Sequence, residues 1–414
     1  MPSDTMFLRS SCVRSAGRSC RPTHAPNDRR RRAAVAAYVV VLMPVILGFA
    51  ALTIDMGRIE NVRADLQNVA DAAAMAGSSI FVGVDEADWL ETALDRARAV
   101  ALRIPTLGAG GTHLAAEDVV VGYLDYTNAA AVIQTDVDAS TFNAVQVAAR
   151  RGGAGNSSVP MAFAWIIGKT YLNVSATGTA AFDDRFAGFT PTDGALLPLV
   201  ISLEQYEDEL VNGPDDFSYD PDLDAILPFP DGIPELHLFP TENGNGNGNG
   251  NGNGNGNDDG TNDGAGNFGL LNIGYENQSV NNAAEQIVHG VTGQNLIDEP
   301  GVGKDHLTFF DDAGDPITYE ISGSPGIKAS LEDEFATRIG DMVGFFLYSQ
   351  IVDGGANATY TIVGMRFGRL VEVELNGGDK RVVVQPEAYT GSGVMVDSAA
   401  PSTDGMIGVM LLVR

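Results

Sequence analysis

The stretch from Arg29 to Ile80 narrows the accessible folds more than any other. It opens with four consecutive arginines, Arg29, Arg30, Arg31 and Arg32, and no charged residue follows until Asp55. Ala33 to Ile54 is therefore an uncharged run of 22 residues. As a helix rising ~1.5 Å per residue it matches the ~30 Å hydrocarbon core of a bilayer. Pro44 lies near its middle, where a kink is expected. Beyond Asp55 the apolar positions Ile59, Val62, Leu66, Val69, Ala73, Ala76 and Ile80 step by three and four, the spacing of a helical seam. This pattern predicts a transmembrane helix over 33–54 that continues into a long amphipathic helix. The seam has two readings: a helix packed on its own domain, or one that docks with helices of other subunits.

Charge supports a membrane topology. Residues 1–32 hold eight of the 25 basic residues and two of the 54 acidic ones, so this head carries +6 and the remainder −35. A basic flank before an apolar helix orients the N-terminus to the cytoplasm and sends the bulk outward. The acidic body excludes nucleic-acid binding, which needs cations to displace counterions from phosphates. Both cysteines, Cys12 and Cys20, precede the span, so no disulfide can staple the exported part. The rival reading is a cleaved signal peptide, with Gly48-Phe49-Ala50 as the cleavage site. The apolar run is longer than a usual signal core, which favours an uncleaved anchor.

Further along, Asp88 to Arg103 reads as an amphipathic helix, ended by Pro105 and nearby glycines. Val119–Tyr126, Val145–Ala149 and Leu172–Phe182 are β-prone, and Pro160–Ile167 is an apolar stretch expected to form a short buried helix. The order suggests an α+β fold, with the long helix packed on a small antiparallel sheet in a pilin-like plan. Leu196–Leu203 is apolar and β-prone, whereas the acidic, proline-bearing segment Asn212–Pro240 is expected to be loop. Asn243–Asn257 is strict Asn-Gly alternation, a composition that cannot build a core and suits a spacer. After it come strand candidates at Ile317–Ile321, Ala358–Val363, Arg369–Leu375, Arg381–Gln385 and Met406–Val413, with one helical candidate, Ser330–Leu347. The division expected is a basic cytoplasmic tail (1–32), a transmembrane helix (33–54), an exported α+β domain (55–187), an acidic and Asn-Gly linker (188–264), and a second, mostly β exported domain (265–414).

No constellation of catalytic residues is present. The histidines (His24, His113, His237, His289 and His306) form no HExxH, and no G-x-S-x-G elbow occurs. Gly168-Lys169-Thr170 ends like a phosphate loop, but Phe163 stands where its first glycine must be. No enzyme activity and no cofactor are expected. The best ligand candidates are Asp220, Asp222, Asp224 and Asp231, spaced somewhat like an EF-hand loop. Ala225 replaces that loop's glycine and three prolines stiffen it, so at most weak Ca²⁺ binding is expected, and solvated acid is the plainer reading.

Three blocks of text, RRRRAAVAAYVVVLMP, then IDMGR (Ile54–Arg58), then LQNVADAAAMAG (Leu66–Gly77), resemble in fixed order the N-terminal module of the TadG-like proteins of the tight-adherence (Flp pilus) assembly system. Many members start the span with Gly and Glu, as type IV prepilins do; aligned on Pro44, Ala33 and Tyr38 occupy those places here. The resemblance thus implies an uncleaved, anchored accessory protein rather than a bulk fibre subunit. It also implies partners among other pilus-assembly or secretion proteins, met through the N-terminal helix, and an oligomeric arrangement. The place implied is the bacterial inner membrane, single-pass, with the bulk in the periplasm or at the surface. The second functional reading is an anchored adhesion or ligand-binding protein that uses the C-terminal domain.

Overall fold

The computed structural model describes residues 28–83, 89–128, 130–152, 155–192, 194–221, 223–238, 268–277, 279–311, 313–352, 358–376 and 381–413. Cys12, Cys20, Asp222 and the Asn243–Asn257 tract fall outside them. The chain divides into two compact units. One comprises residues up to Ile59 together with Pro160–Tyr171; the other comprises Glu60–Val159 and Leu172–Arg414.

A single helix, α1 (Asp28–Ser78), runs through the arginines, the apolar run and the seam, then tightens into a 3₁₀ turn, Ser79–Phe81. Pro44 lies inside it and does not end it. In the first unit the apolar part of α1 is long and apolar enough to cross a membrane, and its most apolar window is wholly uncovered. Tyr38 to Ile54 thus present large apolar side chains outward.

In the second unit, Glu60–Ser78 of α1 and α2 (Trp89–Arg103) accompany a four-stranded sheet in the order Val119–Gly122, Ala144–Arg151, Val174–Asp183, Val409–Val413. All its pairings are antiparallel. The helix meets the sheet where side chains are smallest. A Cβ on Gly178 would lie 2.6 Å from the Ala70 carbonyl carbon and the Asp71 nitrogen, and Gly77 faces Val145. Val62, Leu66, Val69, Ala73 and Ile80 are consequently buried, whereas Ala76 is partly exposed.

A larger sheet closes on itself. Tyr319–Pro325, Phe268–Leu271, Leu196–Ser202, Met342–Val352 and Ala358–Glu374 pair in succession and the last returns to the first, forming a five-stranded barrel. Arg381–Pro386 and Leu236–His237 extend it beyond Ala358–Glu374. Leu196–Ser202 and Met342–Val352 run parallel to each other. Their residues alternate between two apolar clusters: Leu196, Val200, Phe346 and Tyr348 in one, and Leu197, Leu199, Phe345 and Leu347 in the other. The second cluster includes Tyr206, Ile287 and Phe335 from the helices Leu203–Asn212, Val280–His289 and Glu332–Ala336.

Several expectations are corrected. Ser330–Leu347 is not one helix: Glu332–Ala336 is helical, Gly340 adopts φ +93°, and Met342 begins a strand buried on both faces. Two-sided burial removes the apolar–polar alternation that marks a strand, which leaves it looking helical. Ala358–Val363 and Arg369–Leu375 lie on one continuous strand of 17 residues, ending at Glu374. The linker assigned to 188–264 contributes barrel strand Leu196–Ser202 and helix Leu203–Asn212, and its expected loop holds the hairpin Ser218–Asp220 with Ala225–Leu227. The C-terminal strand crosses the expected division: Val409–Val413 completes the sheet of the α+β part. Pro160–Ile167 holds a short helix, the 3₁₀ turn Ala164–Ile167, but Phe163 and Trp165 are exposed and not buried as expected.

Candidate functional site

The apolar part of α1 ends at a carboxylate. Asp55 follows Ile54 and Met56 follows it; both neighbours are exposed, yet Asp55 is 1% exposed. Its cover is the segment Pro160–Tyr171. Asp55 Oδ1 accepts a hydrogen bond from the Ala162 amide at 2.8 Å, and Oδ2 accepts from Phe163 at 2.9 Å and from Ala164 at 2.6 Å. Burial alone would raise the pKa of this acid. The three amide donors and the positive charge of Arg58 outweigh burial and hold it below the usual carboxylate range. The Asp-x-Gly text at Asp55-Met56-Gly57 thus has a physical role for its aspartate, while Gly57 has open space around its Cα.

The segment held by Asp55 is a closed turn. The Met161 amide donates to the Thr170 carbonyl, Gly168 to Trp165, and Lys169 to Ala164, with Gly168 left-handed at φ +80°. Its three aromatic side chains are exposed: Phe163 39%, Trp165 60% and Tyr171 65%. Apolarity alone places Phe163 and Trp165 in a core. The mixture of Trp, Tyr and Lys beside a span is the signal that points elsewhere.

Farther along α1, in the second unit, the Leu66-Gln67…Asp71-Ala72-Ala73 text explains how the helix grips its sheet. Gln67 Nε2 donates to Asp71 Oδ1 at 2.8 Å and to the Thr177 carbonyl oxygen at 3.0 Å. One polar side chain thereby ties helix to strand beside the bare backbone of Gly178. The seam residues Ile59, Val62, Leu66, Val69, Ala73 and Ile80 are buried within the chain itself. Side chains already covered cannot receive another helix unless that packing is undone. Arg29–Arg32 lie in the first turns of α1.

The described acidic candidates, Asp220, Asp224 and Asp231, do not converge. Asp224, at φ +50°, accepts from the Tyr219 hydroxyl, and Asp220 accepts from the Leu223 amide within the same hairpin. Asp231 is occupied by Gln385 Nε2, at 3.0 and 2.9 Å from its two oxygens. Among the described residues no group of three His, Cys, Asp or Glu is placed to hold a metal. A shallow depression of ≈ 460 Å³ is bordered by Gly194, His289, Arg338 and Asp341. Its cation is engaged: Arg338 meets Asp341 at 2.6 Å and donates to the Gly194 carbonyl at 3.0 Å.

Residues 33–88 match the model of the Tad family, described as "Putative Flp pilus-assembly TadE/G-like". No curated protein and no solved structure matches the chain. The matched segment covers the uncharged apolar run, Asp55, the seam and the Gln67–Asp71 grip, and stops before α2.

Proposed function

From the TadE/G-like module at residues 33–88, we propose that this chain is a membrane-anchored accessory component of a tight-adherence pilus assembly or secretion apparatus, acting by position rather than by catalysis. Its N-terminus, with Arg29–Arg32, stays in the cytoplasm, the apolar part of α1 spans the inner membrane, and the acidic bulk is exported. The observation that carries this reading is the uncovered apolar surface of α1 from Tyr38 to Ile54, joined by one unbroken helix to a seam buried in the chain's own sheet. Such a surface in water would cost roughly 25 cal/mol for each Å² left exposed, so it belongs in lipid or against other apolar helices. Other components of the apparatus then meet α1 along this stretch, not along the seam.

Protease shaving tests the topology. With a tag at each end of the full chain, intact cells or spheroplasts should lose the C-terminal tag and keep the N-terminal one, and alkaline carbonate should leave the protein in the membrane pellet. Uncut, full-length protein in the aqueous fraction would sink the anchoring.

A further inference from the structure

We propose that the turn Pro160–Tyr171 is a second membrane contact, seated in the headgroup layer of the outer leaflet beside the exit of the span. The inference rests on the anchoring reading above.

Position comes first. Asp55 directly follows the uncharged run, and its carboxylate binds the amides of Ala162, Phe163 and Ala164. The turn is therefore fixed at the level where α1 leaves the hydrocarbon. Composition comes second. In a body carrying −35, these residues contain no acid and one cation, the exposed Lys169. Outward-facing Phe163, Trp165 and Tyr171 join it. Tryptophan and tyrosine favour the bilayer interface, and lysine reaches past it toward lipid phosphates.

Backbone accounting comes third. Irregular backbone facing lipid is excluded from the hydrocarbon because its amides lack partners. In this turn the amides of Met161, Gly168 and Lys169 bond within the turn, and those of Ala162 to Ala164 bond Asp55. Asp55 thus removes the main obstacle to shallow burial. The exposed Trp165, Tyr171 and Lys169 set the depth at the headgroups and not deeper. The turn that carries the exposed Phe163 and Trp165 is bound at Asp55, between the exposed Ile54 and Met56, so lipid is the occupant these side chains fit.

Trp165 reports on this directly, because the chain has only two tryptophans. The full chain carrying Trp89→Phe is reconstituted into phosphatidylcholine vesicles whose acyl chains bear bromine either near the headgroup or near the bilayer centre. The reciprocal Trp165→Phe protein gives the Trp89 signal for comparison. The expected result is loss of most Trp165 emission with shallow bromines, a much smaller loss with deep ones, and weak quenching by aqueous iodide. Asp55→Ala should reverse the pattern toward iodide while the protein still floats with the vesicles. Floating protein whose Trp165 ignores both brominated lipids and is fully quenched by iodide overturns the contact and leaves the anchor intact. Trp165 shielded from bromine and iodide alike, increasingly so at high protein density, would mean that a second copy covers the turn, and also overturns it. Protein that does not float with vesicles defeats both readings together.

Discussion

Gly178 and Ala70 lie backbone against backbone: a Cβ on Gly178 would stand 2.6 Å from the Ala70 carbonyl carbon. Main chain cannot swing aside as a flexible side chain can. Gly178→Ala should therefore lift α1 from its sheet, at about 1–3 kcal/mol, the usual range for overpacking, with a lower Tm in thermal unfolding. Gly57→Ala is the control. It has no neighbour within 4 Å, and Ala is favoured over Gly inside a helix by about 1 kcal/mol. Equal melting of Gly178→Ala and wild type would show that helix and sheet are not in contact there.

Burial of the seam makes a second prediction. Leu66 and Val69 are fully covered within the chain. Leu66→Ala should cost about 2–5 kcal/mol by leaving a cavity, and Leu66→Asp should leave the exported part protease-sensitive in the purified protein with no partner present. If Leu66→Asp instead melted like wild type and lost only its co-purification with membrane pilus components, the seam would be an intermolecular surface after all.

How much of this was legible in the sequence depends on which signal each residue left. The span and seam were plain because their period and lack of charge survive any tertiary context. The grip of Gln67 on the Thr177 carbonyl was not, since it joins residues 110 apart in the chain. Ser330–Leu347 reads as a helix because the strand that begins at Met342 is buried on both faces and loses its alternation. Phe163 and Trp165 were placed in a core because apolarity says that a residue avoids water, not whether protein or lipid receives it. Asp55 gave a motif without a role, as its three partners lie about 107 to 109 residues downstream. The Asp220–Asp231 spacing suggested one loop, but Gln385 takes Asp231 away from it.

The C-terminal strand supplies a third prediction. Val409–Val413 pairs along Thr179–Asp183, on the side of that strand away from Ala144–Arg151. Deleting residues 409–414 should bare a row of unpaired backbone groups, an invitation to edge-to-edge association. The truncated chain should melt lower and elute as larger species in size-exclusion chromatography. A monodisperse product with wild-type melting would mean that the α+β part closes without this strand.

Glu209 gives the pH dependence. Its oxygens accept from Gln205 Nε2 at 2.8 Å and from the His237 amide at 2.6 Å, but burial dominates and pushes its pKa up to about 7. Gln205 Oε1 is buried without a hydrogen-bond partner, so a flipped Gln205 amide offers a protonated Glu209 an acceptor. A carboxyl raised on folding binds its proton more tightly in the folded state. Its contribution to stability is fully present below the ordinary glutamate value of 4.5 and is lost as pH rises through about 7. Glu209→Gln mimics the protonated form, since its amide nitrogen can donate to the flipped Gln205 while its oxygen still accepts from His237. The variant should match wild type in acid and melt higher than wild type above neutrality. A Tm difference that stays constant across that range would show that Glu209 is not the titrating group.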